Sequence, residues 1–399
     1  MNCTDLGPGD HECEPSGPRE RTTLLELMGV FLRLGLVAFG GPVAHIALME
    51  QATVKRQRWV SRRHFLDLLA VTNLVPGPNS TQMIMHVGYV QRGDLGTWVA
   101  GLAFILPAFA ITLIISWFYQ AYGALPATEA VFYGIKPAVV AMIAHALWRL
   151  APDTVTGVRT GLIFAGALVL NLLGASELLV MGLGAAVGLL VFGHPWKDRM
   201  MRGLMAFPWI FGAPAAGEAA GGGSTGALWQ VGLLFLKFGG TLYGSGYLLI
   251  AFIKTDLVDR LGWLTVQELL DAVAIGQMTP GPVLTTSTAA GYIIAGVPGA
   301  VIATAGIFLP SFFFVMLAGR WMPVLRESVV VRAVLKGVTP AVVAVMLTVT
   351  LTLAGEAFID VFSLILGLCA VIALIRWKID AVLLIGAAST LGYLWMMII

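Results

Sequence analysis

Charge is what this sequence has least of. Asp, Glu, Lys and Arg make up 12% of its 399 residues, whereas a soluble domain carries roughly 25%. So little charge cannot keep a surface in water, which excludes a soluble globular protein. Cysteine is nearly as scarce, and the three present, Cys3, Cys13 and Cys369, cannot build a disulfide framework. Cys3, His11 and Cys13 have no second CxxC or HxxxH pair to complete a zinc site, and they read as part of a polar tail. A formal net charge of +2, with no basic patch interleaved with aromatics, excludes nucleic acid as a partner. Signatures of hydrolytic enzymes are missing as well. HExxH does not occur, Gly244-Ser245-Gly246 has the wrong spacing for a nucleophile elbow, and no buried Ser/His/Asp set can be placed. The opening 23 residues lack the charged-then-apolar order of a signal peptide, so the first apolar stretch is expected to direct insertion.

What remains is apolar length. The chain is 58% hydrophobic with a mean hydropathy of +0.87, and many of its apolar stretches run to about twenty residues, enough to span a bilayer. The expected fold class is an all-α polytopic membrane protein solvated by lipid.

The chain also repeats itself. At an offset of 204, FLRLGLVAFGG (Phe31 to Gly41) falls on FLKFGGTLYGS (Phe235 to Ser245). Asp67 then meets Asp271, Asn73 meets Gln277, and Pro76-Gly77-Pro78 meets Pro280-Gly281-Pro282. An offset of 203 carries Gly88-Tyr89 onto Gly291-Tyr292, Leu106-Pro107 onto Leu309-Pro310, and Pro137 onto Pro340. The organisation expected is a polar tail (1–23), a first repeat (24–193), a Gly/Ala/Ser-rich linker (194–226) and a second repeat (227–399).

Loop charge predicts opposite orientations for the two repeats. Lys55, Arg56, Arg58, Arg62 and Arg63 follow the first stretch with no acid among them, whereas the matching loop mixes Lys254 and Arg260 with Asp256, Asp259 and Glu268. Further on the bias reverses, toward Arg320, Arg326, Arg332 and Lys336 in the second half. Cytoplasmic loops collect Lys and Arg, so the repeats are expected to be inverted, as in secondary transporters. Each half is then expected to hold five spans (24–48, 96–118, 134–150, 158–175 and 176–193; 228–253, 299–319, 337–354, 359–375 and 380–398) and one re-entrant hairpin bent at its Pro-Gly-Pro.

Those bends are the candidate site. Non-helical backbone at membrane depth costs several kcal/mol for each unpaired group unless it is buried in protein or lines a wet cavity. Pro78 starts a helix without an N–H to orphan, and the amides of Asn79, Ser80 and Thr81 would point out of a helix end carrying about half a positive charge. That is an anion site made of backbone. Thr285 and Thr286 stand at the matching place after Pro280-Gly281-Pro282, with Asn73 and Gln277 leading into the two bends. With inverted repeats, the two bends are expected to converge near the midplane. Gly40-Gly41-Pro42 and Gly244-Ser245 interrupt the first stretch of each half and join the candidate lining. Among charged groups, Arg33 and Lys237 would offer counter-charge or form ion pairs. Asp67 and Asp271 would carry protons or hold a helix end, and His45 follows the Gly-Gly-Pro break as a candidate coupling group. His86 and His145 read as packing residues, and Lys136 as an interfacial anchor.

FGGPVAHI, NLVPGPNSTQ, GQMTPGPVLTT, YGSGY and the pair ILPAF/FLPSF together resemble the chromate ion transporter family in its long two-domain form, from about residue 24 to the C-terminus. The resemblance implies export of chromate across a bacterial cytoplasmic membrane, driven by the membrane potential or a proton gradient, and chromate resistance. It implies chromate, protons and lipid as partners, with sulfate or another oxyanion as the alternative cargo. A second copy of the chain is a candidate partner, and neither cofactor nor metal is expected.

Overall fold

The computed structural model describes residues 22–39, 41–123, 125–193, 224–243 and 246–398. Among these residues there are 14 α-helices and no strand, in keeping with the all-α expectation. Most of the proposed tail and linker lies outside the described residues. Two edges differ from the sequence reading. Thr22, assigned to the tail, is buried and hydrogen-bonds Gln91, and helix begins at Ser224, inside the assigned linker.

The first half contains α1 (Leu24–Val37), α2 (Gly41–Met49), α3 (Arg62–Thr72), α4 (Asn79–Tyr122), α5 (Pro126–Thr154), α6 (Val158–Leu172) and α7 (Glu177–Phe192). The second repeats the series as α8 (Ser224–Thr241), α9 (Leu248–Phe252), α10 (Val266–Met278), α11 (Thr286–Glu327), α12 (Val329–Ala357), α13 (Val361–Ile372) and α14 (Ala381–Ile398). Side chains start several of them. Thr23 and Ser61 accept from the third amide of α1 and α3, and Thr265 with Glu268, and Asp360 with Ser363, form capping boxes. Because the Tyr133 hydroxyl and the Ser363 amide both donate to Asp360, they hold its carboxyl below the ordinary carboxylate value and tie α5 to the start of α13.

α4 is two helices in one. Arg92 and Gly93 leave helical geometry, Gly93 at φ 60°, ψ −145°, and divide a short arm beginning at Asn79 from a long helix ending at Tyr122. Gly296 (φ +61°) stands at the matching place in α11. Both bends allow a close glycine approach. A Cβ at Gly96 would lie 2.0 Å from the Gly88 carbonyl, and one at Gly299 would lie 2.1 Å from that of Gly291. α3 and α10 have 11 and 13 residues, about 16–20 Å at 1.5 Å per residue, or little more than half a hydrocarbon core.

The halves interlock. α1 packs on α4, and α8 on α11, within each half. Beyond that, α5 packs against α13 and α14 of the second half, and α12 against α6 and α7 of the first. Small residues permit both contacts. A Cβ at Gly337 would lie 1.9 Å from the Gly184 carbonyl, and one at Gly134 would lie 2.1 Å from that of Ala388.

Two expectations about spans are corrected. The stretches 24–48 and 228–253 are not continuous: α1 ends at Val37 and α2 begins at Gly41, and α8 ends at Thr241 before α9 begins at Leu248. In the first half Ala38 leaves the helix at ψ 88°, and Pro42 cannot extend an earlier helix through its own nitrogen. In the second half Gly239 and Gly240 precede the gap and Gly246 lies within it. Secondly, among the described residues five helices are long and apolar enough to cross a bilayer, whereas 158–172, 177–192 and 361–377 are shorter. The first two flank a turn in which Gly174 takes φ +90°.

Candidate functional site

Each Pro-Gly-Pro is a tip between two short helices that pack on each other. After α3, Leu74 and Val75 donate to Val71 and Thr72, Gly77 turns at φ +132°, and Pro78 starts α4 at φ −75°. The Gln82 amide reaches back 2.5 Å to the Pro76 carbonyl, and Asn79 donates 2.7 Å to Asn73. No side chain caps this helix, so the amides of Asn79, Ser80 and Thr81 have no intrahelical acceptor.

The second tip is tighter. Gly281 turns at φ +102°, and Val283–Thr285 form one 3₁₀ turn in which the Thr285 amide donates to Pro282. The hydroxyls of Thr285 and Thr286 donate to the carbonyls of Pro282 and Val283. The second tip therefore does not present the same three free amides as the first.

Both tips dock on the opposite half. The Gly77 amide donates 2.6 Å to the Leu242 carbonyl, and the Gly281 amide donates 2.8 Å to the Ala38 carbonyl. Leu242 and Ala38 end the first helix of the opposite half. Each tip therefore seats on the helix break of the other repeat. Where the tips touch the long helices, matching positions again serve: a Cβ on Gly281 would meet Ala108, and one on Gly77 would meet Ser311 and Gln82.

At the second junction lies a small polar cavity of about 10 Å³, bordered by Ala38, Phe39, His45, Gly276, Gln277, Thr279, Gly281, Val283 and Ala381. That is room for about one water, so the site is closed to anything the size of an oxyanion. No residue of Pro76-Gly77-Pro78 borders it. One buried nitrogen on its wall, His45 Nδ1, has no hydrogen-bond partner, while the Gln277 side chain lies against the Tyr247 hydroxyl. At the first junction Thr81 Oγ1, Gln82 Oε1 and Ser311 Oγ are likewise buried without one. Buried polar groups in native proteins are nearly always paired, and their concentration at both tips marks these places as polar sites within an apolar core.

The other candidates fall as follows. Gly40, Gly244 and Ser245 lie outside the described residues, while Gly41 and Pro42 open α2. Asn73 is exposed and Asp67 half-buried. Lys237 pairs with Asp256 at 2.7 Å, Arg260 meets the same carboxylate at 3.0 Å, and Arg33 is exposed. Neither Lys237 nor Arg33 borders the cavity. Asp271 is buried, accepts from the Tyr119 hydroxyl at 2.7 Å and faces Lys136 at 3.6 Å. Lys136 is therefore no interfacial anchor but half of a buried pair bridging the two repeats. Sequence reasoning missed this pair, although a lysine placed well inside an apolar run was the available signal. His86 is buried with neither ring nitrogen hydrogen-bonded.

Among known proteins, the family described as Chromate transporter matches twice, over residues 25–189 and 229–393. A chromate transport protein of Cupriavidus metallidurans is 31% identical over 375 residues, covering 93% of this chain and 92% of its own. One from Pseudomonas aeruginosa is 33% identical over 387 residues, covering 92% of each chain. A probable chromate transport protein of Synechococcus elongatus is 32% identical over 362 residues, covering 90% of this chain and 91% of its own. No solved structure matches.

Proposed function

The chain belongs to the chromate transporter family, and on that premise we propose that it is a secondary transporter exporting chromate across a bacterial cytoplasmic membrane, with resistance to chromate as the result. The observation that carries this reading is the pair of crossed tip-and-break junctions, each holding unpaired polar atoms inside an apolar bundle. Broken helices whose ends face a buried polar site are how secondary transporters hold ions at membrane depth. The closed cavity corresponds to a state between inward and outward opening, and a junction must part for cargo to enter.

Energetics favour the outward direction. A membrane potential is worth about 2.3 kcal/mol per charge per 100 mV. A dianion leaving a cell that is negative inside therefore gains roughly 4–5 kcal/mol at that potential, and importing one would require coupled cations. Uptake of labelled chromate and sulfate by everted vesicles tests this. Chromate is expected to accumulate when the vesicle interior is made positive and to stop when the potential is collapsed. Uptake indifferent to the potential would overturn potential-driven export, and sulfate carried equally well would overturn chromate as the specific cargo.

Inversion of the repeats is part of the same proposal. It is supported by the opposed loop charges and by the reciprocal packing of α5 and α12 on the other half. Gln57 and Leu261 occupy matching exposed places after the first helices. Cysteines placed there, in a variant without the native ones, are expected to react with an impermeant label from opposite faces; labelling from one face refutes inversion.

A further inference from the structure

We propose that His45 admits an oxyanion to the second-tip cavity only when its imidazole is protonated, so that anion and proton occupy the site together. The proposal rests on reading that cavity as the substrate site. His45 Nε2 lies 3.1 Å from the Ala38 carbonyl. A carbonyl only accepts, so the proton of the neutral ring is on Nε2 and Nδ1 is a bare lone pair. Nδ1 is buried, has no partner and belongs to a ring that borders the cavity. A lone pair there repels an oxyanion. Protonation at Nδ1 turns it into a charged donor while the Ala38 contact remains intact, so the ring need not flip.

The surroundings leave the task to this ring. His45 is faced by Ala38 and Phe39 of the α1 break, by the edge of Phe104 from α4 at 5.9 Å, and by Gln277, Thr279 and Gly281 of the second tip. None of these residues is ionisable, and among the described residues no other charged group borders the cavity. The Gln277 side chain, which lies against the Tyr247 hydroxyl, is neutral. A dianion enclosed by uncharged groups carries a large desolvation cost, and one imidazolium offsets half of its charge.

The Ala38 carbonyl also accepts from the Gly281 amide. The same atom thus fixes the tautomer of His45 and holds the second tip, joining the proton site to the junction that must open. The matching position in the second half is Leu249, so the first-tip junction has no counterpart and one proton is bound for each anion at this site.

Calorimetric titration of the purified full-length protein with chromate, in two buffers of different ionisation heat, counts protons taken up on binding. About one proton per chromate is expected above the pKa of the free ring, with affinity falling about tenfold per pH unit there, since proton and anion linkage is reciprocal. His45→Gln, whose amide can still donate to Ala38, is expected to take up about one proton fewer and to lose that pH dependence. Binding to the parent protein without proton uptake, or the same uptake by His45→Gln, overturns the proposal and leaves the substrate-site reading standing. Failure of the parent to bind chromate overturns both. Zero uptake by the parent overturns the proposal even if His45→Gln does not fold, and His45→Asn then takes its place for assigning the proton.

Discussion

A Lys136→Met protein is expected to be about 3–5 kcal/mol less stable than its parent, the cost of leaving a buried charge without its partner. Lys136 on α5 and Asp271 on α10 are both buried, 3.6 Å apart. Removing the ammonium leaves the Asp271 carboxylate with one hydrogen bond, from Tyr119, in an apolar environment. The pair joins the first half to α10, which leads into the second tip, so the same change is expected to loosen that tip. A Lys136→Met/Asp271→Leu protein should recover most of the lost stability, because replacing both members of a buried pair by apolar groups is often close to neutral. Denaturation midpoints of the three proteins in one detergent measure this. A single variant as stable as the parent would show that the pair holds nothing together.

That pair also marks where sequence reasoning stops. The repeat and the positions of the tips were legible because glycine and proline punctuate a helix wherever they stand, and twice-used punctuation at one offset is hard to produce by chance. The breaks near Gly40 and Gly244 were visible as motifs. They were nonetheless read through as spans, since Phe39 and its neighbours keep the stretch apolar and hydropathy does not register a missing turn. Where the tips dock was not legible at all. Gly77 and Gly281 donate to backbone carbonyls of Leu242 and Ala38, and a carbonyl is supplied by any residue, so no side-chain pattern announces it. Lys136 and Asp271 come from different halves, and periodicity along one helix cannot reveal such a partner. His45 was picked out by its position after the break, but its fixed tautomer follows only from the geometry at Ala38.

Gly281→Ala is expected to reduce chromate transport by about a hundredfold or more while the protein still inserts and folds. Gly281 sits at φ +102°, a region that costs an L-residue roughly 1–3 kcal/mol. The added Cβ would also lie 2.7 Å from that of Ala108, a clash that the tip relieves by moving off the Ala38 carbonyl. A penalty of about 3 kcal/mol on the docked state shifts its population by roughly a hundredfold, at 1.4 kcal/mol for each factor of ten. Gln277, His45 and Gly281 border a common cavity only while the tip is docked, so the penalty falls on transport more than on folding. Two further variants separate the causes. Gly281→Ala/Ala108→Gly removes the clash but keeps the backbone strain, and partial recovery is expected. Gly262→Ala also places an L-residue at positive φ, +61°, with nothing within 4 Å of its Cβ, so its backbone cost falls away from the site and it should transport normally. If Gly281→Ala transports as well as Gly262→Ala, docking of the tip on the opposite break plays no part in the transport cycle. The crossed junctions would then be packing alone.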